Sequence, residues 1–204
     1  MPSHNSTEPR RRPQRQRGHE RVAALLEAAG SCFVEKGYEG TTMTEVAARA
    51  GAAIGSLYQF FPTKKALANA LLEQYAQAVC AELKSFAAPS LRWTTAAWAE
   101  HLCAFLISFR KRHPAFLALV ESMPKPAADG LSIRRRVRAE LQALLAARAP
   151  HRSAEDILAM AVVVQQMMKG AAAIQAEPGM PGRQVALEHM QHAMQVYLHG
   201  VFKP

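Results

Sequence analysis

Residues Gly37–Leu67 read GYEGTTMTEVAARAGAAIGSLYQFFPTKKAL, and this stretch decides the fold. Thr42 and Glu45 form the Thr-x-x-Glu pattern of a capping box, in which each side chain satisfies a free backbone N–H at a helix start. Met43, Val46, Ala47 and Ala50 then supply one apolar helical face, and Gly51 ends the helix after two turns. A second short helix is predicted from Ile54 to Phe61, closed by Pro62. Two short helices joined by the tight, small-residue turn Ala50-Gly51-Ala52 make a helix-turn-helix.

Reading outward, a preceding helix is expected from Gly18 to Lys36, with Val22, Leu25, Leu26, Ala29, Phe33 and Val34 on one face and Gly37 as its left-handed stop. After Pro62 a long helix is expected from Thr63 to Ala88, broken by Pro89. Helical periodicity continues over about 91–112, 114–122, 132–148, 153–176 and 183–201, punctuated by prolines. The predicted fold is all-α: a disordered basic arm over 1–17, a three-helix head carrying the helix-turn-helix over 18–66, and a further helical domain over 67–204.

The bulk numbers agree with a globular protein that meets a polyanion. Of 204 residues 50% are apolar and 7% aromatic, and the formal net charge is +9. Ala, Leu and Met dominate the apolar set and favour helix. Excess positive charge suits nucleic acid or an anionic membrane surface, though it also serves solubility alone. The arm carries Arg10, Arg11, Arg12, Arg15 and Arg17. It is either a phosphate-tracking or minor-groove arm or a solvated tail. No apolar segment follows it, so it is not a secretory signal. The aliphatic run Ile157–Val164 is too short to span a bilayer, so a cytoplasmic protein with no membrane partner is expected. Cys32, Cys80 and Cys103 form no Cys-x-x-Cys pair, which leaves buried thiols or, alternatively, a redox sensor.

The Gly37–Leu67 segment resembles the DNA-binding head of TetR-type regulators, and with the first helix the resemblance covers about residues 18–70. It implies that Thr42 and Thr44 contact phosphate, that Ile54, Gly55, Ser56 and Gln59 face bases, and that Tyr58 and Lys64 contact phosphate. The residues carry part of this reading on their own. A helix lying in the major groove needs small or polar residues at its start, and Ile54, Gly55 and Ser56 stand there. Gly55 has poor helix propensity, so close approach to DNA is the better reason for it. Leu57 and Phe61 are expected inside, Tyr58 and Gln59 outside. Lys64 and Lys65 stand in the first turn of a helix, where the dipole disfavours cations unless a phosphate joins them. The sequence departs from the family pattern at Ala53, which cannot cap the helix, at Ile54, which can touch a thymine methyl but donate nothing, and at Lys65, where an acid is common.

The resemblance further implies a C-terminal sensor and a homodimer. The helix over 153–176 is apolar nearly all round and must be buried on most sides. Val163 and Met167 on it, with Leu187, Met190, Met194 and Tyr197 on the last helix, are expected at the dimer interface; packing within one subunit is the alternative. Trp93, Trp98, His101, Phe105, Phe109, Phe116 and Met123 are candidate pocket residues for an unidentified small-molecule effector, or else plain core. A cationic ligand would suit Glu100 or Glu121 if either faces inward. His189, His192 and His199 lack the partners of a metal site. Arg134, Arg135, Arg136 and Arg138 form a basic run: a solvated face, an acidic-ligand site or a second DNA contact. With no phosphate loop, nucleophile elbow or His-Glu-x-x-His, neither cofactor, metal nor enzymatic activity is expected. The implied function is a dimeric repressor, binding a pseudo-palindromic operator in double-stranded DNA and released by a small apolar ligand. An activator and an accessory DNA-binding factor without a sensor are the alternatives.

Overall fold

The computed structural model describes residues 11–122 and 129–203, and among them the regular structure is entirely helical. The chain divides into two compact units, residues 1–71 and 72–204. The division falls within one long helix, a few residues later than the expected boundary after residue 66.

The first unit contains α1 (Arg11–Gly40), α2 (Met43–Arg49), α3 (Ile54–Phe60) and the opening turns of α4 (Lys64–Ser85). Helix α1 starts at Arg11, so residues 11–17 of the expected arm are helical; residues 1–10 lie outside the described residues. Pro13 is tolerated because it stands in the first turn, where its missing N–H has no helical partner. The helical run breaks at Gly37, with φ 69° and ψ 176°, a positive φ that costs glycine nothing. Leu25, Leu26, Ala29 and Phe33 of α1, Val46 and Ala47 of α2, Leu57 of α3 and Phe61 form the buried core of this unit. Val34 is the exception to the expected α1 face. It is 47% exposed, because the helical rotation from Phe33 carries it out of the apolar stripe.

The capping box at α2 is present in full. The Glu45 N–H donates to Thr42 Oγ1 at 3.3 Å, and the Thr42 N–H donates to Glu45 Oε2 at 3.1 Å. At the other end of α2, Gly51 takes φ 61° and its N–H bonds the Ala48 carbonyl at 3.1 Å. That left-handed residue turns the chain into α3.

The second unit comprises the rest of α4, the single turn α5 (Ala87–Ser90), α6 (Thr95–Arg112), α7 (Pro114–Ser122), α8 (Asp129–Arg148), α9 (Ala154–Ala176) and α10 (Arg183–Phe202). Helix α4 stops at Ser85, short of the expected Ala88, and Pro89 lies inside α5 rather than breaking α4. Helix α6 starts four residues later than expected, because Thr94 caps it by accepting the Ala97 N–H at 3.2 Å. Trp93 therefore lies in the preceding turn.

Helices α6, α9 and α10 pack on one another, and α8 packs on α9. Ile157, Met160, Ala161, Val164, Met168, Ala171 and Ala172 of α9 are buried. With a mean hydropathy of 1.6 over 18 residues, α9 is long and apolar enough to cross a membrane by length and composition. The aliphatic run alone understated this, since Ala and Met extend it; packing against three helices accounts for the apolarity. A Cβ on Gly170 would lie 3.0 Å from Met190 Cε, so α9 and α10 approach closely there. Arg152 donates to the Val201 carbonyl at 3.1 Å and the Lys203 carbonyl at 3.3 Å, capping α10 with a cation where its dipole is negative.

Replacing Gly51 by alanine forces an L side chain into the left-handed region. It is expected to destabilise the protein by about 1–2 kcal/mol, read as a lower denaturation midpoint at unchanged slope.

Candidate nucleic-acid interface and regulatory unit

Helix α3 is seven residues long, and Leu57 is its one buried side chain. Ile54 is 41% and Tyr58 49% exposed, and Gly55, Gln59 and Phe60 are exposed as well. A helix this bare on its outer side is held by its neighbours. Phe61, just past its end, is buried as expected and its N–H bonds the Leu57 carbonyl at 2.8 Å. Ala53 makes no side-chain cap bond. Nothing lies within 4 Å of the position a Cβ on Gly55 would take, so no contact inside the protein requires glycine there.

Behind α3, α2 is fastened to α1 twice. The Arg49 guanidinium grips both oxygens of Glu35 at 2.6 Å. Lys36 Nζ donates to Glu45 Oε1 at 2.5 Å, so one carboxylate caps α2 with one oxygen and pairs across to α1 with the other. The Lys36 hydrogen bond, then those from Thr42, hold the Glu45 carboxyl below the usual carboxylate range. Arg49 does the same for Glu35.

The remaining candidate DNA contacts are arranged as follows. Thr42 and Thr44 are exposed at the start of α2. Thr42 Oγ1 accepts within the capping box, which leaves its hydroxyl proton to donate. Ser56 Oγ accepts from Arg21 Nη1 of α1 at 3.3 Å. Lys64 Nζ donates to the Glu39 carbonyl at 3.0 Å and lies 4.7 Å from the centre of the Tyr38 ring. Lys64 thus ties the end of α1 to the start of α4, a use that its place in the first turn did not reveal. An ammonium has three donors, so this bond does not exhaust it. Lys65 is exposed.

Sequence reasoning missed Arg21, Thr41 and the Arg49–Glu35 pair. Thr41 is buried and donates to the Gly37 carbonyl at 2.8 Å, closing the α1–α2 connection. These are contacts across 4 to 35 positions that no local pattern announces.

In the second unit the candidate pocket residues touch one another. Trp93 stacks on His101 with ring centres 4.2 Å apart, and meets Trp98 edge-on at 5.9 Å. Phe105 and Phe109 are 6.2 Å apart, and Phe109 and Phe116 are 5.6 Å apart. Trp98, Phe105 and Phe109 are buried, Trp93 and Phe116 half-buried, and His101 exposed; Met123 lies outside the described residues. Trp98 Nε1 donates to the Ser90 carbonyl at 3.1 Å, pinning α5 to α6. Glu100 is exposed rather than inward, and the Glu121 side chain is outside the described set.

Of the candidate interface residues, Val163 is 37% exposed, and Met167, Leu187, Met190 and Tyr197 are half-buried. Met194 is a correction. It is fully buried, with its sulfur 4.0 Å from Cys103 Sγ, and so belongs to the subunit core. Leu158, Val185 and Val196 of α9 and α10 are exposed, Val196 at 57%. The three cysteines are free and buried. Burial raises each thiol above its ordinary value, Cys103 to about 11. Among the described residues no three His, Cys, Asp or Glu gather as a metal site.

Comparison with known proteins places these features. Residues 25–71 match the family model for bacterial regulatory proteins of the tetR family. Residues 94–198 match the model for a tetracyclin repressor-like C-terminal domain. A TetR-family chain from Mesorhizobium loti is 18% identical with a TM-score of 0.62, covering 91% of this chain and 98% of its own. NalD of Pseudomonas aeruginosa, the secondary repressor of the MexAB-OprM multidrug efflux pump, is 16% identical at a TM-score of 0.61, over 88% of this chain and 95% of its own. FadR of Bacillus subtilis, solved in complex with stearoyl-CoA, is 11% identical at 0.68, over 84% and 96%. At these identities the likeness is one of fold. The C-terminal match alone spans more than half of the sequence, and with a helix-turn-helix head matched ahead of it the chain belongs to the TetR family of DNA-binding transcriptional regulators.

Proposed function

We propose that the protein is a dimeric repressor that sets two α3 helices into successive major grooves of a pseudo-palindromic operator and is released by a small apolar ligand. The observation that carries the DNA contact is the outer face of α3. Ile54, Gly55, Tyr58 and Gln59 stand exposed on a helix too short to hold itself and braced from behind by α2. Ile54 touches a thymine methyl and Gln59 reads a base edge; Thr42, Thr44, Tyr58, Lys64 and Lys65 hold phosphates, which position the head without reading sequence. Ser56, steadied by Arg21, faces the bases.

Exposed and half-buried apolar residues along α9 and α10 support dimerisation through those helices, by Val163, Met167, Leu187, Met190 and Tyr197. The aromatic set of α6 and α7 supports an apolar ligand, and a regulator of like fold, FadR of Bacillus subtilis, was solved in complex with stearoyl-CoA. Release follows if the ligand prefers a head spacing that DNA does not; a coupling of about 1–3 kcal/mol is typical.

Two sets of variants test this. Gly55→Ala is expected to stabilise the free protein by about 0.5–1 kcal/mol and yet to weaken binding to DNA from upstream of its own gene by about tenfold or more, followed by fluorescence anisotropy against scrambled competitor. Lys65→Ala is expected to reduce the salt slope of binding by about one at unchanged stability. Lys64→Ala is expected to do the same while also costing about 1 kcal/mol of stability through the lost Glu39 bond. A Gly55→Ala protein that is more stable and binds the operator as well as wild type would sink the groove assignment. For the dimer, Val163→Asp with Val196→Asp is expected to give a folded monomer in sedimentation; a persistent dimer would place the interface elsewhere.

A further inference from the structure

The basic run on α8 is not one feature. Arg136 grips both oxygens of Glu73 at 2.8 Å, and Arg135 is exposed. Arg138 behaves differently: its Nε and Nη2 donate at 3.4 and 3.3 Å to Oε1 of Gln165 on α9. Gln165 is 7% exposed, a polar side chain sunk among the buried apolar residues of α9. Its Nε2 donates to the Arg134 carbonyl at 3.1 Å. Both ends of this neutral amide are therefore committed, and the amide fixes Arg138 without neutralising it.

The Gln165 bonds to Arg138 and to the Arg134 carbonyl set these positions at the α8–α9 contact; Lys169 follows Gln165 by one helical turn on α9, and Arg134 precedes Arg138 by one turn on α8. Arg110 stands on α6, which packs on the same α9. The half-buried Lys169 ammonium is pushed below the ordinary lysine value by burial first, then by Arg134, Arg110 and Arg138; no carboxylate among the described residues offsets these charges. Lys169 Nζ donates to Gln166 Oε1 at 3.1 Å, again a neutral amide. Arg110 Nε is buried without a hydrogen-bond partner. Glu73, Glu82 and Glu140, acids on neighbouring helices, pair instead with Arg136, Arg112 and Lys84. Gathered like charges repel, and an orphaned buried donor costs free energy.

We propose that Arg110, Arg138 and Lys169, with Arg134 at the rim, form an oxyanion-binding site in the second unit, which takes the carboxylate or phosphate of a small-molecule ligand. An oxyanion satisfies the guanidinium forks and the ammonium together. This rests on, and sharpens, the reading of the unit as a ligand sensor: the effector carries an acidic group, not the cation that an inward Glu100 would have suited.

The test uses the full-length protein without DNA, so a failure here leaves operator binding untouched, and a failure of operator binding leaves this site standing. Thermal unfolding is followed with inorganic pyrophosphate, with decanoate, and with decanol as the neutral counterpart, all at matched ionic strength. A saturable rise in Tm with pyrophosphate or decanoate, absent with decanol and sodium chloride, is expected; which anion acts distinguishes phosphate from carboxylate. Lys169→Gln and Arg138→Gln are expected to weaken it by about tenfold or more, and Arg92→Gln, exposed on the turn before α6, to leave it unchanged. Lys169→Gln relieves repulsion and is expected to leave the unliganded protein at least as stable as wild type, so loss of response does not reflect misfolding. The proposal is overturned if neither anion raises Tm saturably, if the variants respond like wild type, or if only duplex DNA stabilises the protein, which would make the cluster a second DNA contact.

Discussion

A short helix exposed on most of its surface cannot maintain itself in water, and the head of this protein is organised around that constraint. Helix α3 buries only Leu57. Its direction and its existence depend on α2, which is itself seven residues long and depends on α1. The Glu45 carboxylate links the levels, since it caps α2 and takes Lys36 from α1 at once. Arg49 and Glu35 make the second fastening at the opposite end of α2. Exposed ion pairs individually contribute little; here two of them, with the buried Leu25, Phe33 and Val46 beneath, restrict the one orientation that matters.

Much of the head was legible because its signals are local. A capping box spans four positions, a positive-φ glycine announces itself by composition, and the spacing of Leu57 and Phe61 separates inside from outside on α3. The local signals fail where a contact joins distant positions. Nothing in the neighbourhood of Lys64 points to the Glu39 carbonyl or the Tyr38 ring, and Arg21 gives no sign of reaching Ser56. Periodicity also misplaced Val34, because an apolar residue beside a stripe reads like one in it.

The second unit was less legible, because nearly every position in it is apolar and periodicity then loses contrast. Helix α9 is the clear case: apolarity all round predicts burial without saying which residues face the subunit and which face outward. Met194 looked like an interface residue by spacing and proved to be core against Cys103. The start of α6 was placed too early because helical pattern runs on through Leu91, while Thr94 sets the true cap. The basic run on α8 looked uniform in the sequence, and only the partners across the helix contacts separate Arg136, which meets a carboxylate, from Arg138, which meets a neutral amide.

The two tryptophans of the chain are Trp93 and Trp98, and both lie in the second unit beside α5 and α6. Trp98 is sealed from solvent, and Trp93 lies half-covered against His101. The DNA-binding head has neither. Intrinsic emission from this protein is therefore a local optical signal of the second unit, set by burial at one indole and by a stacked imidazole at the other. The state of the second unit and DNA occupancy can be followed in one cuvette without a label on the protein, the first by the indoles and the second by the dye on the duplex.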